Sequence, residues 1–89
     1  MPTISRFYGI VIRMYRGDHP PPHFHAYYAE FHATLAIETL ELLSGRLPPR
    51  SMAMVLEWAM HRRPQLVDNW RRCLRHEPAL PIAGLDEEA

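Results

Sequence analysis

HFHAYYAEFHATLAI, residues 23–37, consists of two alternating runs joined by Ala29 and Glu30. Phe24, Ala26 and Tyr28 share one parity; His23, His25 and Tyr27 share the other. Period-two alternation of this kind is the pattern of a half-buried strand. If Ala29 and Glu30 form a two-residue hairpin loop, Tyr28 pairs with Phe31, Ala26 with Ala33 and Phe24 with Leu35. All six are apolar or aromatic and fall on one face, so this register is self-consistent. Ala-Glu is a poor primed turn, because neither residue favours positive φ, and a longer loop is the competing arrangement. Either way the stretch demands an antiparallel sheet with one apolar face.

Working outward, Ile4 to Tyr15 also alternates. Ile4, Tyr8, Ile10, Ile12 and Met14 hold one parity, with Phe7 and Val11 on the other, and Gly9 marks a break between two short strands. "RGDHPPP" interrupts the pattern, since three prolines offer no backbone donor to a central strand. "ETLELLSGRL" reads as an extended piece around Leu40 and Leu42, closed by a turn at Ser44–Gly45. "PPR" then opens a helix, where a proline's missing donor costs nothing. Met52, Val55, Leu56, Ala59 and Met60 recur at helical spacing, and Leu66, Val67, Trp70, Cys73 and Leu74 continue in phase. Pro64 lies between the halves and either kinks one helix or starts a second. The expected fold is α+β: an antiparallel sheet of three to five strands packed on a long or kinked C-terminal helix. Residues 1–78 form the domain. Residues 79–89 form a short, acidic, partly ordered tail.

Composition bounds the function. The chain has 89 residues with 47% hydrophobic, enough for one core, and a formal net charge of zero. A neutral protein has no global field for a polyanion, so RNA or DNA binding would need a local basic patch. A single cysteine, Cys73, excludes an intrachain disulfide and a multi-cysteine zinc site. No signal-peptide pattern and no membrane-length apolar run are present, so a cytoplasmic protein is the default expectation.

"MPTISRFYGIVIRMY", "HPPPHFHA", "IETLELLSGRLPPR" and "VLEWA" together resemble the bacterial family catalogued as domain of unknown function 4160. His19, Pro20, Pro22, His23, Phe24 and His25 match its motif position by position. Ala29 departs from an expected turn glycine, His32 from a more usual polar residue, and Pro64 is unusual. The resemblance implies a small intracellular bacterial protein without assigned activity, encoded beside a second small protein in a toxin–antitoxin-like arrangement.

The histidines carry the candidate chemistry. In the hairpin register His23, His25 and His32 point to one face, and His19 could fold back from the proline run. Neutral imidazole is a common metal ligand, and a catalytic zinc site needs three protein ligands and an open position. His19, His23, His25 and His32 are therefore candidate ligands for a divalent metal such as zinc, with Asp18 or Glu30 as a carboxylate contributor. In a metal-free nuclease, one of His23 and His25 would accept a proton from a ribose 2′-hydroxyl, the other would protonate the leaving oxygen, and Arg13 would steady the phosphate. The competing reading is a stiff proline turn whose histidines stack on Tyr15 and Tyr27.

On the helix, Trp58 falls off the apolar stripe near Met54. That suggests a partner surface, a homodimer contact or cover from the tail. With Arg62 and Arg72 these residues form the candidate partner-binding set; helix-end placement explains the arginines better than nucleic acid does. Two functions follow: an interaction module acting with another small protein, or a histidine-based hydrolase or nuclease.

Overall fold

The computed structural model describes residues 3–87; Met1 and Pro2 of the N-terminal motif, and Glu88 and Ala89 of the acidic tail, lie outside the described residues. Among the described residues five strands precede one helix: β1 (Thr3–Phe7), β2 (Ile10–Arg13), β3 (His23–Tyr28), β4 (Phe31–Ala36), β5 (Leu42–Arg46) and α1 (Pro49–Leu74). The strands make one antiparallel meander in chain order, and α1 packs on one face of it. This is the expected α+β architecture.

The β3–β4 register is the predicted one, with Tyr28 opposite Phe31, Ala26 opposite Ala33 and Phe24 opposite Leu35. The loop is only two residues long, and Ala29 supplies the required left-handed conformation at φ 51°. β1 and β2 are likewise joined by a two-residue loop, Tyr8–Gly9, with φ 48° and 79°. Positive φ at both loop positions is the turn that matches strand twist. Tyr8, grouped above with the core parity, therefore sits 59% exposed at the hairpin tip. Phe7, opposite Ile10, takes its place inside.

The segment after β4 differs from expectation. Leu40 lies in the reversal, at φ 61°, rather than in a strand. Ser44 and Gly45 are inside β5, opposite Thr34 and Ala33, and the register shifts between Thr34 and Leu35. Gly45 is required there: a Cβ would meet the His32 carbonyl oxygen at 2.1 Å, and its φ is 73°. A glycine read as a turn is thus the point where two strands come too close for a side chain.

Helix α1 is continuous through Pro64. Pro64 and Met60, whose carbonyl loses its donor, both lie on the exposed side, where water can replace the missing bond. The buried arc is Ser51, Val55, Trp58, Ala59, Leu66, Asn69, Trp70 and Cys73. It is rotated from the predicted stripe: Met60 and Leu74, expected inside, are 63% and 58% exposed. Trp58, expected outside, is 1% exposed and lies among Phe7 and Phe24, with ring centroids 5.3 and 5.9 Å away. With Ile10, Ile12, Phe24, Leu35 and Val55 it forms the centre of the core, each large side chain contributing about 1.5–3 kcal/mol. Ser51 and Asn69 enter the arc because their polar atoms are satisfied. Ser51 donates to Pro48 O at 3.0 Å.

Asn69 clamps the backbone of Leu80, donating to its carbonyl at 2.9 Å and accepting from its amide at 2.8 Å. The tail then runs back across the core. Ile82 N donates to Ile4 O at 2.7 Å, Trp58 Nε1 donates to Ala83 O at 2.8 Å, and Ile82 is buried. Of the three covers considered for Trp58, the tail is the one in place. Arg63, on the apolar side, reaches past its buried stem to donate to Ile37 O at 3.1 Å. Among the described residues no helix is long and apolar enough to cross a membrane.

Candidate functional site

Strand pleat sets the site. Phe24 and Ala26 face the core with no exposure, so His23 and His25 project from the other face of β3. The preceding loop returns over them. Its last proline is tied to the sheet, with Ile37 N donating to Pro22 O at 3.0 Å, and the Pro20–Pro21 peptide is cis. Asp18 lies over the two imidazoles. Its Oδ2 lies 3.1 Å from His23 Nε2 and 3.2 Å from His25 Nε2. The three side chains are partly sheltered, at 12%, 15% and 28% exposure.

The hydrogen bonds constrain the protons. His23 Nδ1 lies 2.8 Å from Pro21 O. A carbonyl only accepts, so Nδ1 carries hydrogen and donates. His23 Nε2 therefore faces the carboxylate either with a second proton, as imidazolium, or with a bare lone pair. Two lone-pair donors 3.1 Å apart repel unless something positive lies between them. His25 Nε2 meets the same oxygen. Its Nδ1 lies 3.0 Å from His32 Nε2 and 3.3 Å from Thr34 Oγ1. His32 is held below the ordinary histidine pKa, first by desolvation and then by repulsion from His25. Its neutral ring can thus accept from His25 Nδ1. Asp18, His23 and His25 each offer one ligand atom, all within 4.8 Å of one another.

Aromatic rings wall the site. Tyr15 meets the His25 ring edge-on at 4.9 Å and shares a 2.8 Å hydroxyl contact with Tyr27. Burial, then that contact, raises the Tyr27 pKa. Tyr27 stacks on His32 at 4.3 Å, and Trp70 of α1 lies 5.2 Å from the His23 ring. Arg13 stands opposite His25 on β2 with its guanidinium 4.9 Å from the Tyr27 ring centre. Its Nε is buried and makes no hydrogen bond among the described residues. A cleft of about 380 Å³ shares Tyr15 with the site and is also lined by Arg16, Cys73 and Glu77.

Not every predicted site residue belongs here. His23, His25, His32 and Arg13 come together on one face. His19 does not: it is exposed and outside the three-residue ligand group, in which Asp18 stands instead. His32 contacts the far nitrogen of His25, which places it behind that ring rather than beside Asp18. Glu30 is exposed in the hairpin loop at the other end of β3. Asp18, named in sequence only as one of two possible carboxylates, is the residue on which the imidazoles converge. Its proximity to the proline turn was the available signal.

The partner set is dispersed. Trp58 is interior, and Met54 is half-buried against the core. Arg62 reaches Glu87 O at 3.5 Å. Arg72 is paired with Asp68 at 3.0 Å and Glu77 at 3.7 Å, and Arg75 with Glu77 at 3.0 Å. Cys73 is a small core residue, as expected, with its thiol pKa pushed up mainly by burial.

Neither a curated protein nor a solved structure matches the chain. The family model described as "Domain of unknown function (DUF4160)" matches residues 9–71, which span β2 to most of α1 and include every residue of the His–Asp site. The motif-level resemblance and this match agree, and the chain belongs to that family.

Proposed function

We propose that the protein is a histidine-based hydrolase of phosphodiesters, working at the face built by Asp18, His23, His25 and Arg13. The observation that carries this reading is the convergence of two imidazole Nε2 atoms on one carboxylate oxygen in a partly sheltered position. A structural histidine needs one partner. Two rings sharing one acceptor, each oriented from behind by another group, make a junction able to take or hold a positive species. Hydrolysis needs such a junction. Attack by water on phosphorus forms one P–O bond and breaks another; the water's proton is taken up and the departing oxygen receives one. Arg13, beside His25 on β2, and Arg16 in the adjoining cleft would neutralise the phosphate. Substituting His23 or His25 by alanine should abolish cleavage of a single-stranded RNA probe while the circular dichroism spectrum is retained. Retained cleavage would end this reading.

A second reading, an interaction module engaging another small protein in a toxin–antitoxin-like pair, keeps one supporting observation. All five residues of the edge strand β5 are exposed, including Leu42 at 46% and Leu43 at 39%. An unprotected apolar edge invites strand pairing with another chain. Sedimentation of the protein alone and with the neighbouring gene product tests it; a monomer in both runs would exclude it.

A further inference from the structure

We infer that Asp18, His23 and His25 form a binding site for one divalent first-row transition metal ion, of which zinc is the representative, and that His32 is its positioning residue. The inference rests on the hydrolase reading for what the ion does, and on geometry alone for its binding.

The donor set comes first. Two neutral imidazole nitrogens and one carboxylate oxygen, with room for a fourth ligand, are a common catalytic arrangement for such ions. The spacing fits. Tetrahedral zinc with bonds of about 2.0–2.1 Å holds its ligand atoms about 3.3 Å apart. The two oxygen–nitrogen separations here are 3.1 and 3.2 Å, and all three donor atoms lie within 4.8 Å. The shelter fits too: partial burial removes competing water without sealing off a fourth position.

The hydrogen bonds behind the rings decide the case. Ligation through Nε2 requires the proton on Nδ1. At His23, Pro21 O accepts from Nδ1 at 2.8 Å, which fixes that tautomer. At His25, the atoms facing Nδ1 are His32 Nε2 at 3.0 Å and Thr34 Oγ1 at 3.3 Å, both able to accept. Each ring thus has an acceptor behind it and the shared carboxylate oxygen in front. That is the outer-shell arrangement that orients ligating imidazoles and raises their basicity. A buried ring kept only for packing needs no such fixing of both nitrogens. In hydrolysis the ion would lower the pKa of a bound water towards about 7.

The test is isothermal titration of zinc into the full-length chain after chelator dialysis. Cobalt absorbance serves as a second readout, and circular dichroism checks the fold of each variant. One ion should bind per chain. D18N, H23Q and H25Q should each abolish binding. His32→Ala should weaken it by roughly 10–100-fold, the usual effect of losing an outer-shell partner, and His19→Ala should leave it unchanged. Absence of binding at millimolar metal, undiminished binding in folded D18N or H25Q, or loss of binding in His19→Ala would each overturn the inference. Cleavage assays with and without chelator separate it from the hydrolase reading. Binding without cleavage removes that reading and leaves the site. Cleavage that survives chelation, in a chain that binds no ion, removes the site and leaves the hydrolase.

Discussion

Trp58 separates the helix orientation seen in the structure from the one its apolar pattern suggests, and the difference can be measured. The side chain is 1% exposed, packs on Phe7 and Phe24, and donates to Ala83 O at 2.8 Å. Trp58→Phe keeps one ring but loses the hydrogen bond, worth about 1 kcal/mol. It also loses buried ring atoms at about 0.8 kcal/mol per carbon. The expected cost is about 2.5 kcal/mol, and Trp58→Ala should cost about 3–5 kcal/mol. A chain of this length has roughly 4–13 kcal/mol of stability, so the phenylalanine variant stays folded. In urea, with a slope of about 1–2 kcal/mol per molar, its midpoint should fall by roughly 1–2.5 M at unchanged slope. Deleting residues 79–89 removes the acceptor, so Trp58→Phe should cost about 1 kcal/mol less in the truncated chain. A surface tryptophan would change stability by under about 0.5 kcal/mol. Losses that small in both variants would refute the burial of Trp58 and the seating of the tail on it.

Three further outcomes are expected. Gly45→Ala places a methyl group 2.1 Å from His32 O at a φ of 73°, so it should cost more than about 1 kcal/mol and lower the Tm by at least about 4 °C. Asn69→Ala removes both bonds to Leu80 and should destabilise by about 2 kcal/mol, with proteolytic cleavage moving to the released tail; unchanged digestion would contradict the clamp. Cys73, buried and with its pKa raised chiefly by desolvation, should react slowly with iodoacetamide at neutral pH and rapidly only in urea. Fast labelling of the folded chain would place the thiol at the surface.

What the sequence makes legible follows the strength of each local signal. The β3–β4 register could be read because six apolar positions agree on one face at a single loop length. His23, His25 and His32 could be placed together because pleat parity leaves no choice once that register stands, whereas Arg13 joins them only through the β2–β3 pairing, which the sequence does not fix. The helical character of α1 is legible, but its continuity through Pro64 and its rotation are not. Ser51 and Asn69 are polar yet buried, since each finds a backbone partner. Met60 and Leu74 are apolar yet exposed, since nothing in the chain covers them. A hydropathy wheel weighs all four the wrong way. β5 was misplaced because Gly45 marks close approach inside a strand and not a turn, a distinction carried only by its neighbour across the sheet. In the site itself, the exchange of His19 for Asp18 depends on how the proline run turns, and backbone direction across three prolines leaves no periodic trace.

The convergence of His23 and His25 on Asp18 is most directly tested by long-range ¹H–¹⁵N spectra of the imidazoles, recorded before and after addition of one equivalent of zinc. Two rings should show hydrogen on Nδ1 and a zinc-induced shift at Nε2, and assignment by substitution should identify them as His23 and His25, with the His19 signals unmoved. Shifts at Nδ1, shifts confined to His19, or no change in any ring would contradict the account.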